Sequence, residues 1–327
     1  MEPSFISRSQ PHQRATESAP SRAAVLVNLA ANNNAAERKW RRIHSDVLGA
    51  LPKNTKILLY RPPFDLAACV RELHENDHIS CFISAGGDGT LNRVLNAVMQ
   101  SFHDRPHRPY LGAIGLGSRN DYHRPFKKTC LGIPLRIDLA APVFSDVGRV
   151  QYMTESGEHL RYFITGASMG LKAEADHLFN LGDPIINALK PRFVNLAIIY
   201  TGIRSFLAHH SIEVEIGHDA IHQVTEMSNL SIIKVPEVSL GFEYDLRKDD
   251  GYLGFILCHA MTKLDLLMVL YDLSRRRFGK RPGRMAALVR TASLRARTWI
   301  PLATDGEIQF ARSAVFSVVQ NRVVFLG

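Results

Sequence analysis

The first half of the chain alternates short apolar runs with segments in which apolar residues recur every three or four positions. Short continuous apolar runs are typical of buried strands, and the second spacing is typical of helices. Strands that alternate with helices of this length indicate a mainly parallel, doubly wound sheet. We therefore predict a flexible tail over 1–20 and a Rossmann-like N-terminal α/β domain over 21–139. The predicted strands are 23–29, 56–60, 79–85 and 111–116, and the predicted helices are 35–51, 66–73 and 91–99.

The pattern changes near Leu139. Alternating residues over 149–165, around a turn at 155–158, indicate a hairpin, and a helical stretch follows over 189–207. Short strand-like runs separated by turn residues then predict an antiparallel β-rich sandwich domain over 140–327, whose last strands can return to the N-terminal domain. A nucleotide cleft is expected between the two domains. The strand-like runs are 211–216, 229–235, 254–259, 292–299 and 314–326.

Composition narrows the class of protein. The 327 residues are 46% hydrophobic and 22% charged, as in ordinary globular proteins. Four cysteines without a C-x-x-C pair exclude a disulfide-dense secreted scaffold and a cysteine zinc site, and they fit a reducing compartment. No apolar stretch is long enough to span a bilayer, and the first twenty residues lack a signal-peptide core. We expect a soluble, cytoplasmic protein.

The chain is basic, with 40 Lys and Arg against 31 Asp and Glu. An anionic membrane, a nucleotide or a nucleic acid could each account for the surplus. Nine of the basic residues lie in 274–297, which has no acid and follows the apolar stretch 261–273. Only Phe278 in this segment could stack on a base. We expect no nucleic-acid partner. Peripheral binding to an anionic membrane and a solvated basic face are equally good interpretations.

The segment 85–92 (AGGDGTLN) follows a predicted strand and opens a predicted helix. Glycines allow close backbone approach, and the free N–H groups of a helix start bind phosphate. A carboxylate beside phosphates indicates a bridging cation, so Asp88 is a candidate Mg²⁺ ligand. The alternative is an ordinary strand-to-helix turn with Thr90 as the N-cap. The candidate phosphate-binding residues are Gly86, Gly87, Asp88, Gly89, Thr90 and Asn92.

A second loop, 115–122 (GLGSRNDY), follows the next strand. Loops at the carboxyl ends of neighbouring parallel strands line one crevice, so the two loops predict a nucleotide site together. By itself this loop could be an Asx-type turn. Its candidate ligands are Gly117, Ser118, Asn120 and Asp121.

Five motifs occur in order: GGDGTLN, GLGSRND, SMG at 168–170, DDGYL at 249–253 and TDGE at 304–307. With this order and spacing, residues 23–327 resemble the bacterial diacylglycerol kinase and lipid kinase family. That family is related to sphingosine and ceramide kinases, and more distantly to NAD kinase and phosphofructokinase.

The resemblance implies ATP in the interdomain cleft, with Asp88 near Mg²⁺-ATP. It implies that Asp305 and Glu307 serve as general base and nucleotide-site ligand, and it does not assign the two roles. Asp250 corresponds to a structural Mg²⁺ site of some relatives, although Arg247 occupies the place of an upstream ligand. A plain turn explains Asp250 equally well.

Three further positions depart from the family pattern. Residues 28–33 (NLAANN) stand where an Asn-Pro-x-(Ser/Gly)-Gly loop is usual, Thr165 stands for an asparagine, and Lys172 stands for an acid. These changes indicate an unusual substrate or weakened catalysis.

The expected function is that of an ATP- and Mg²⁺-dependent lipid kinase of phospholipid biosynthesis. It would phosphorylate a hydroxyl of diacylglycerol or a similar lipid at the inner membrane surface, and a homodimer is left open. One alternative is a kinase of a soluble substrate, similar to NAD kinase. The other is a non-catalytic relative that binds a nucleotide or a lipid.

Overall fold

A computed structural model of the protein describes residues 20–103, 107–190, 192–235, 237–238, 242–243, 251–274 and 282–327. The candidate ligand Asp250, the neighbouring Arg247 and the basic residues 275–281 lie outside the described residues, as does nearly all of the predicted tail.

The described residues form seven α-helices, a short 3-10 turn at Asp121–His123 and seventeen strands. The helices are α1 (Ala35–Gly49), α2 (Leu66–Glu75), α3 (Asp88–Ser101), α4 (Leu171–Leu181), α5 (Pro184–Leu189), α6 (Val194–Ala208) and α7 (Lys263–Ser274). The first nine strands are β1 (Ala23–Asn28), β2 (Lys56–Tyr60), β3 (Cys81–Gly86), β4 (Tyr110–Gly115), β5 (Thr129–Cys130), β6 (Ile133–Arg136), β7 (Val143–Thr154), β8 (Gly157–Phe163) and β9 (Gly166–Gly170). The others are β10 (Ile212–His218), β11 (Ile221–Ile233), β12 (Glu237–Val238), β13 (Phe242–Glu243), β14 (Leu253–His259), β15 (Arg284–Val289), β16 (Thr291–Thr304) and β17 (Glu307–Phe325).

The N-terminal half is a parallel sheet in the strand order β2-β1-β3-β4, with helices on both faces. Successive side chains of a strand point to opposite faces, so β1 contributes to two cores. Val25 joins the core that α1 covers with Trp40, whereas Leu26 joins the core of α2 and α3 with Val70 and Leu95. The continuous apolar runs of the sequence are therefore strands buried on both sides.

The C-terminal half is mostly antiparallel. Strands β15, β14, β11, β10, β16 and β17 follow one another in the sheet, β7 and β8 continue from β17, and β9 pairs with both β11 and β16. Their inner side chains share one apolar core that includes Phe163, Leu230, Phe255 and Phe316.

Strand β17 joins the two halves. It pairs antiparallel with β16 and β7, and its end pairs parallel with β4, where Val324 lies opposite Tyr110. The strands of both halves therefore form one hydrogen-bonded sheet of fifteen strands. The mixed α/β, sheet-rich fold is confirmed, and the division into domains at 139/140 stays a prediction.

The helical stretch predicted over 189–207 is confirmed as α6 (Val194–Ala208), which belongs to a group of three helices, α4 to α6. Gly182 at φ 68° ends α4, and the side chain of Asp183 caps α5 by accepting the N–H of Ile186 at 2.8 Å. Pro184 occupies the first turn of α5, where its missing N–H costs nothing. In the described part of the chain, no helix is both long and apolar enough to cross a membrane.

Candidate active site

The N-terminus of α3 carries the first candidate loop. Strand β3 ends at Gly86, and the N-cap of α3 is Gly87, which has no side chain to satisfy the first N–H groups. The alternative with Thr90 as the N-cap is wrong, because Gly87 is the N-cap and Thr90 is the third residue of α3, where its hydroxyl accepts a hydrogen bond from Asn28 Nδ2 at 3.0 Å. The positive end of a helix of fourteen residues is therefore left for an anion.

The two candidate loops, 85–92 and 115–122, contact each other through their backbones, and we call them the first and second glycine loops. The N–H groups of Leu116 and Gly117 donate to the carbonyl of Gly86 at 2.8 and 3.1 Å. A Cβ placed on Gly117 would lie 2.4 Å from Cα of Gly87, so only glycine fits there. The structure thus brings the two predicted loops together.

Asp88 links the same loops through its side chain. Its two carboxylate oxygens accept the N–H groups of Asp121 and Tyr122 at 3.0 and 3.1 Å. Burial and the neighbouring charge of Asp121 raise the pKa of Asp88 to about 6. The sequence indicated a carboxylate free for Mg²⁺, whereas Asp88 also holds the second loop in place.

The remaining residues of the second loop differ in role. Asn120, at φ 54°, donates from Nδ2 to the carbonyls of Gly115 and Gly117 and so closes the loop on itself, whereas Ser118 is exposed. Lys39 of α1, which belongs to none of the five motifs, donates to the carbonyl of Gly117 at 3.1 Å. Burial lowers the pKa of Lys39.

The turn between β16 and β17 brings in the TDGE motif. Asp305 is only 7% exposed, and its carboxylate accepts five hydrogen bonds. The donors are the Nδ2 group of Asn92, the N–H groups of Ile164, Thr165 and Gly166, and the hydroxyl of Thr165. Five donors fill both oxygens, so Asp305 anchors the junction of β8 and β9 to α3.

Glu307 lies two residues further and has a different environment. Its side chain is 37% exposed, and a Cβ placed on Gly89 would be 2.7 Å from its Oε1. Its Oε2 lies 3.9 Å from a guanidinium nitrogen of Arg161, which also donates to Asn92 Oδ1 at 3.0 Å. The carboxylate of Glu307 therefore lies beside Gly89 of the first glycine loop. Arg161 is a site residue that the motifs did not identify.

Helix α4 is tied to the site by a buried ion pair. A guanidinium nitrogen of Arg119 lies 3.0 Å from Asp176, and Lys172 Nζ lies 2.9 Å from the other oxygen. Burial alone would raise the pKa of Asp176, but the two cations lower it to about 2. Asn180 of the same helix donates to the carbonyl of Gly306 at 2.7 Å. The lysine that departs from the family pattern thus belongs to this ion pair.

A cavity of about 750 Å³ opens between α2, α3 and β8. Phe64, Met99 and Leu160 contribute apolar lining, and Arg93 and Arg161 contribute charge. Because Arg161 also faces Glu307, the cavity adjoins the site.

Among the residues that the structure describes, no three His, Cys, Asp or Glu side chains form a cluster that could hold a metal ion. Mg²⁺ commonly binds through one or two carboxylates together with substrate phosphates. The single carboxylate Asp88 beside a phosphate-type loop fits that mode.

Residues 22–150 match the family model of the diacylglycerol kinase catalytic domain. The chain is 28% identical over 229 residues to a diacylglycerol kinase of Staphylococcus epidermidis, covering 69% of this chain and 67% of that protein. It is 27% identical over 241 residues to a diacylglycerol kinase of Staphylococcus aureus, covering 72% of this chain and 70% of that protein.

Two solved structures from Bacillus anthracis str. Sterne have a similar fold. One is the structure of a diacylglycerol kinase, with a TM-score of 0.61 and 12% sequence identity. The other has a TM-score of 0.68 and 15% sequence identity. Each comparison covers 95% of this chain and 98% of the other. The resemblance to the diacylglycerol kinase family that the five motifs indicated is therefore confirmed, with residues 22–150 similar to the catalytic domain of that family.

Proposed function

We propose that the protein is an ATP-dependent lipid kinase that phosphorylates a hydroxyl of diacylglycerol or a similar lipid at a membrane surface. The observation that carries the proposal is the placement of the Glu307 carboxylate beside Gly89, at the start of α3. A helix start that is open to an anion and a carboxylate that can take a proton are the two parts that phosphoryl transfer to an alcohol needs.

The phosphates of ATP would lie on the glycine loop. The N-terminus of α3 supplies a positive dipole end, and Gly87 has no side chain that would compete for its N–H groups. Asp88 would hold Mg²⁺ together with the phosphates, and the ion would offset the charge that develops on the transferred group. The backbone N–H groups of Asp121 and Tyr122 donate hydrogen bonds to this carboxylate and keep it oriented.

Glu307 is the general base in this proposal, and Asp305 is a positioning residue. The five donors around Asp305 leave it no lone pair for a substrate hydroxyl, whereas Glu307 is partly exposed and close to the phosphate loop. One Glu307 oxygen would take the hydroxyl proton as the lipid oxygen bonds to the γ-phosphorus, while the bond from that phosphorus to the β,γ-bridging oxygen breaks and ADP leaves. Arg161 keeps the side chain of Glu307 near that position.

The cavity beside Arg161 is where the acceptor would lie. Its lining combines apolar side chains with two guanidinium groups, which suits a molecule with an apolar body and a polar end.

The test is a phosphoryl-transfer assay with labelled ATP in mixed micelles. The acceptors are diacylglycerol, monoacylglycerol, ceramide, sphingosine and phosphatidylglycerol, with NAD as the soluble control. We expect transfer to at least one lipid and none to NAD. Transfer to NAD alone would favour a kinase of a soluble substrate, and ATP binding without any transfer would favour a non-catalytic relative.

A further inference from the structure

Several large apolar side chains of helix α6 face outward, whereas Val194, Ile198 and Tyr200 are partly buried against a small apolar cluster. The side that packs against the protein carries Ala197, Thr201 and Ser205, all buried. Large apolar residues at three- and four-residue spacing face solvent and are between 47% and 66% exposed. These outward residues are Phe193, Leu196, Ile199, Ile203 and Leu207. We call them the outer face of α6.

The helices that contact α6 add to this exposed apolar surface. Leu181 at the end of α4, Ile185 on α5 and Leu264 on α7 are all at least half exposed. Scattered apolar residues on a surface are ordinary, but a contiguous set of this size on one helix marks an interaction site.

The basic residues of this region indicate which class of partner the outer face of α6 would bind. Residues 184–212 contain no Asp or Glu, whereas Lys190, Arg192 and Arg204 are basic, and Arg204 is paired with Asp183 at 2.5 Å. Lys263 of α7 donates to the last carbonyls of α6, those of Phe206, Leu207 and His209. An apolar face bordered by cations is complementary to a bilayer with anionic headgroups.

The length of α6 indicates how it would meet a bilayer. At about 1.5 Å per residue, its fifteen residues extend about 22 Å, which is less than the roughly 30 Å of a hydrocarbon core. A helix of this kind lies in the plane of the interface with its apolar face among the acyl chains.

The outer face of α6 is also connected to the candidate site. Helix α6 packs on α4, and α4 holds Arg119 through Asp176 and the carbonyl of Gly306 through Asn180. A surface that contacts lipid at α6 would therefore be held in a fixed position relative to Glu307.

Of the described basic residues in 274–297, Arg284 is buried in an ion pair with Asp272 at 2.6 Å, and Arg297 pairs with Glu213 at 2.9 Å, whereas Arg290 and Arg295 are exposed. From the sequence, membrane binding and a solvated basic face are equally good interpretations of this segment.

We propose that the outer face of α6 docks the protein on an anionic phospholipid surface. The proposal extends the proposed function, since a lipid kinase must reach an acceptor in a bilayer, but docking can be measured without turnover. A second copy of the chain is the competing occupant of this face.

The experiment compares binding to vesicles of phosphatidylcholine with and without phosphatidylglycerol. Wild type is expected to bind the mixed vesicles, and more weakly as salt rises. The variant Ile199→Ser/Ile203→Ser should lose roughly tenfold or more in affinity, because two side chains no longer enter the acyl region. Ile57→Ser/Leu59→Ser, on the edge strand β2, is the matched control and should bind like wild type.

Arg192→Glu tests the electrostatic part, and it should weaken binding only to vesicles with phosphatidylglycerol. Thermal melts confirm that each variant is folded. Unchanged binding of Ile199→Ser/Ile203→Ser would overturn the proposal. So would a dimer in light scattering that the double substitution converts to a monomer without affecting vesicle binding.

An experiment can refute the proposed lipid kinase function without refuting docking through α6, and the reverse. Transfer to a short-chain, water-soluble diacylglycerol should be the same in wild type and in Ile199→Ser/Ile203→Ser. Vesicle binding through α6 without transfer to any lipid would refute the proposed function and leave docking intact.

Discussion

At the scale of single residues, Asp305 and Glu307 are alike in sequence and different in structure. Both belong to the TDGE motif, and the sequence did not assign their roles. The difference arises because the donors to Asp305 come from Asn92 and from 164–166, at least 139 positions away in the chain. No local pattern encodes such partners, so only the fold separates the anchoring carboxylate from the exposed one.

The two acids should differ in their effect on stability. Asp305→Asn places an amide group among five hydrogen-bond donors, so we expect the free energy of unfolding to fall by about 3 kcal/mol. Glu307→Gln should change it by no more than about 0.5 kcal/mol, because Glu307 is partly exposed and its cation is 3.9 Å away. Denaturant unfolding of both variants measures this, and equal losses would contradict the assignment.

Asp88 gives a pH-dependent prediction. Its pKa is raised from 3.8 to about 6, so between these values the native protein holds more protons than the unfolded chain. The contribution of Asp88 to the free energy of unfolding should therefore decrease as the pH rises from about 4 to about 6. Asp88→Asn should lack this dependence. Unfolding midpoints of both proteins across this range measure the difference, and parallel curves would argue against the raised pKa.

At the scale of elements, the sequence predicted β1 to β4, α1 to α3 and the loops that follow β3 and β4, but not the short strands β5 and β6. Those loops do meet, because the carboxyl ends of neighbouring parallel strands lie at one edge of the sheet. The sequence missed α4, and it missed the contacts of Lys39 and Arg161, because their partners lie more than fifty residues away in the chain. Periodicity reports which face of an element is buried, but not what covers it.

The contact between the glycine loops should be sensitive to one methyl group. Gly117→Ala would put a Cβ 2.4 Å from the backbone of Gly87, and backbone cannot move aside as a side chain can. We expect a loss of about 1 to 3 kcal/mol in stability and weaker ATP binding. Gly49→Ala is the matched control, because a Cβ there meets nothing within 4 Å. Calorimetric ATP titration and thermal melts test this, and ATP binding as in wild type would count against the phosphate-loop assignment.

At the scale of the whole molecule, the candidate site depends on a sheet that passes through both halves. Strand β17 begins at Glu307 and ends beside β4, the strand that leads into the second glycine loop. The carboxylate and the loop are thus fixed to the same sheet. The sequence predicted an α/β half and a β-rich half in the right order. It allowed for last strands that return to the N-terminal half, but it did not identify the pairing of β17 with β4, because a parallel pairing between distant strands leaves no periodic signal.

The role of Glu307 as general base is best tested by the kinetics of Glu307→Gln. If Glu307 takes the proton of the acceptor hydroxyl, kcat should fall by about 10²- to 10⁴-fold while the Kd for ATP stays close to that of wild type. The measurement is transfer from labelled ATP to the best lipid acceptor, with ATP affinity from titration of the same preparations. A Glu307→Gln protein that turns over like wild type would contradict the account.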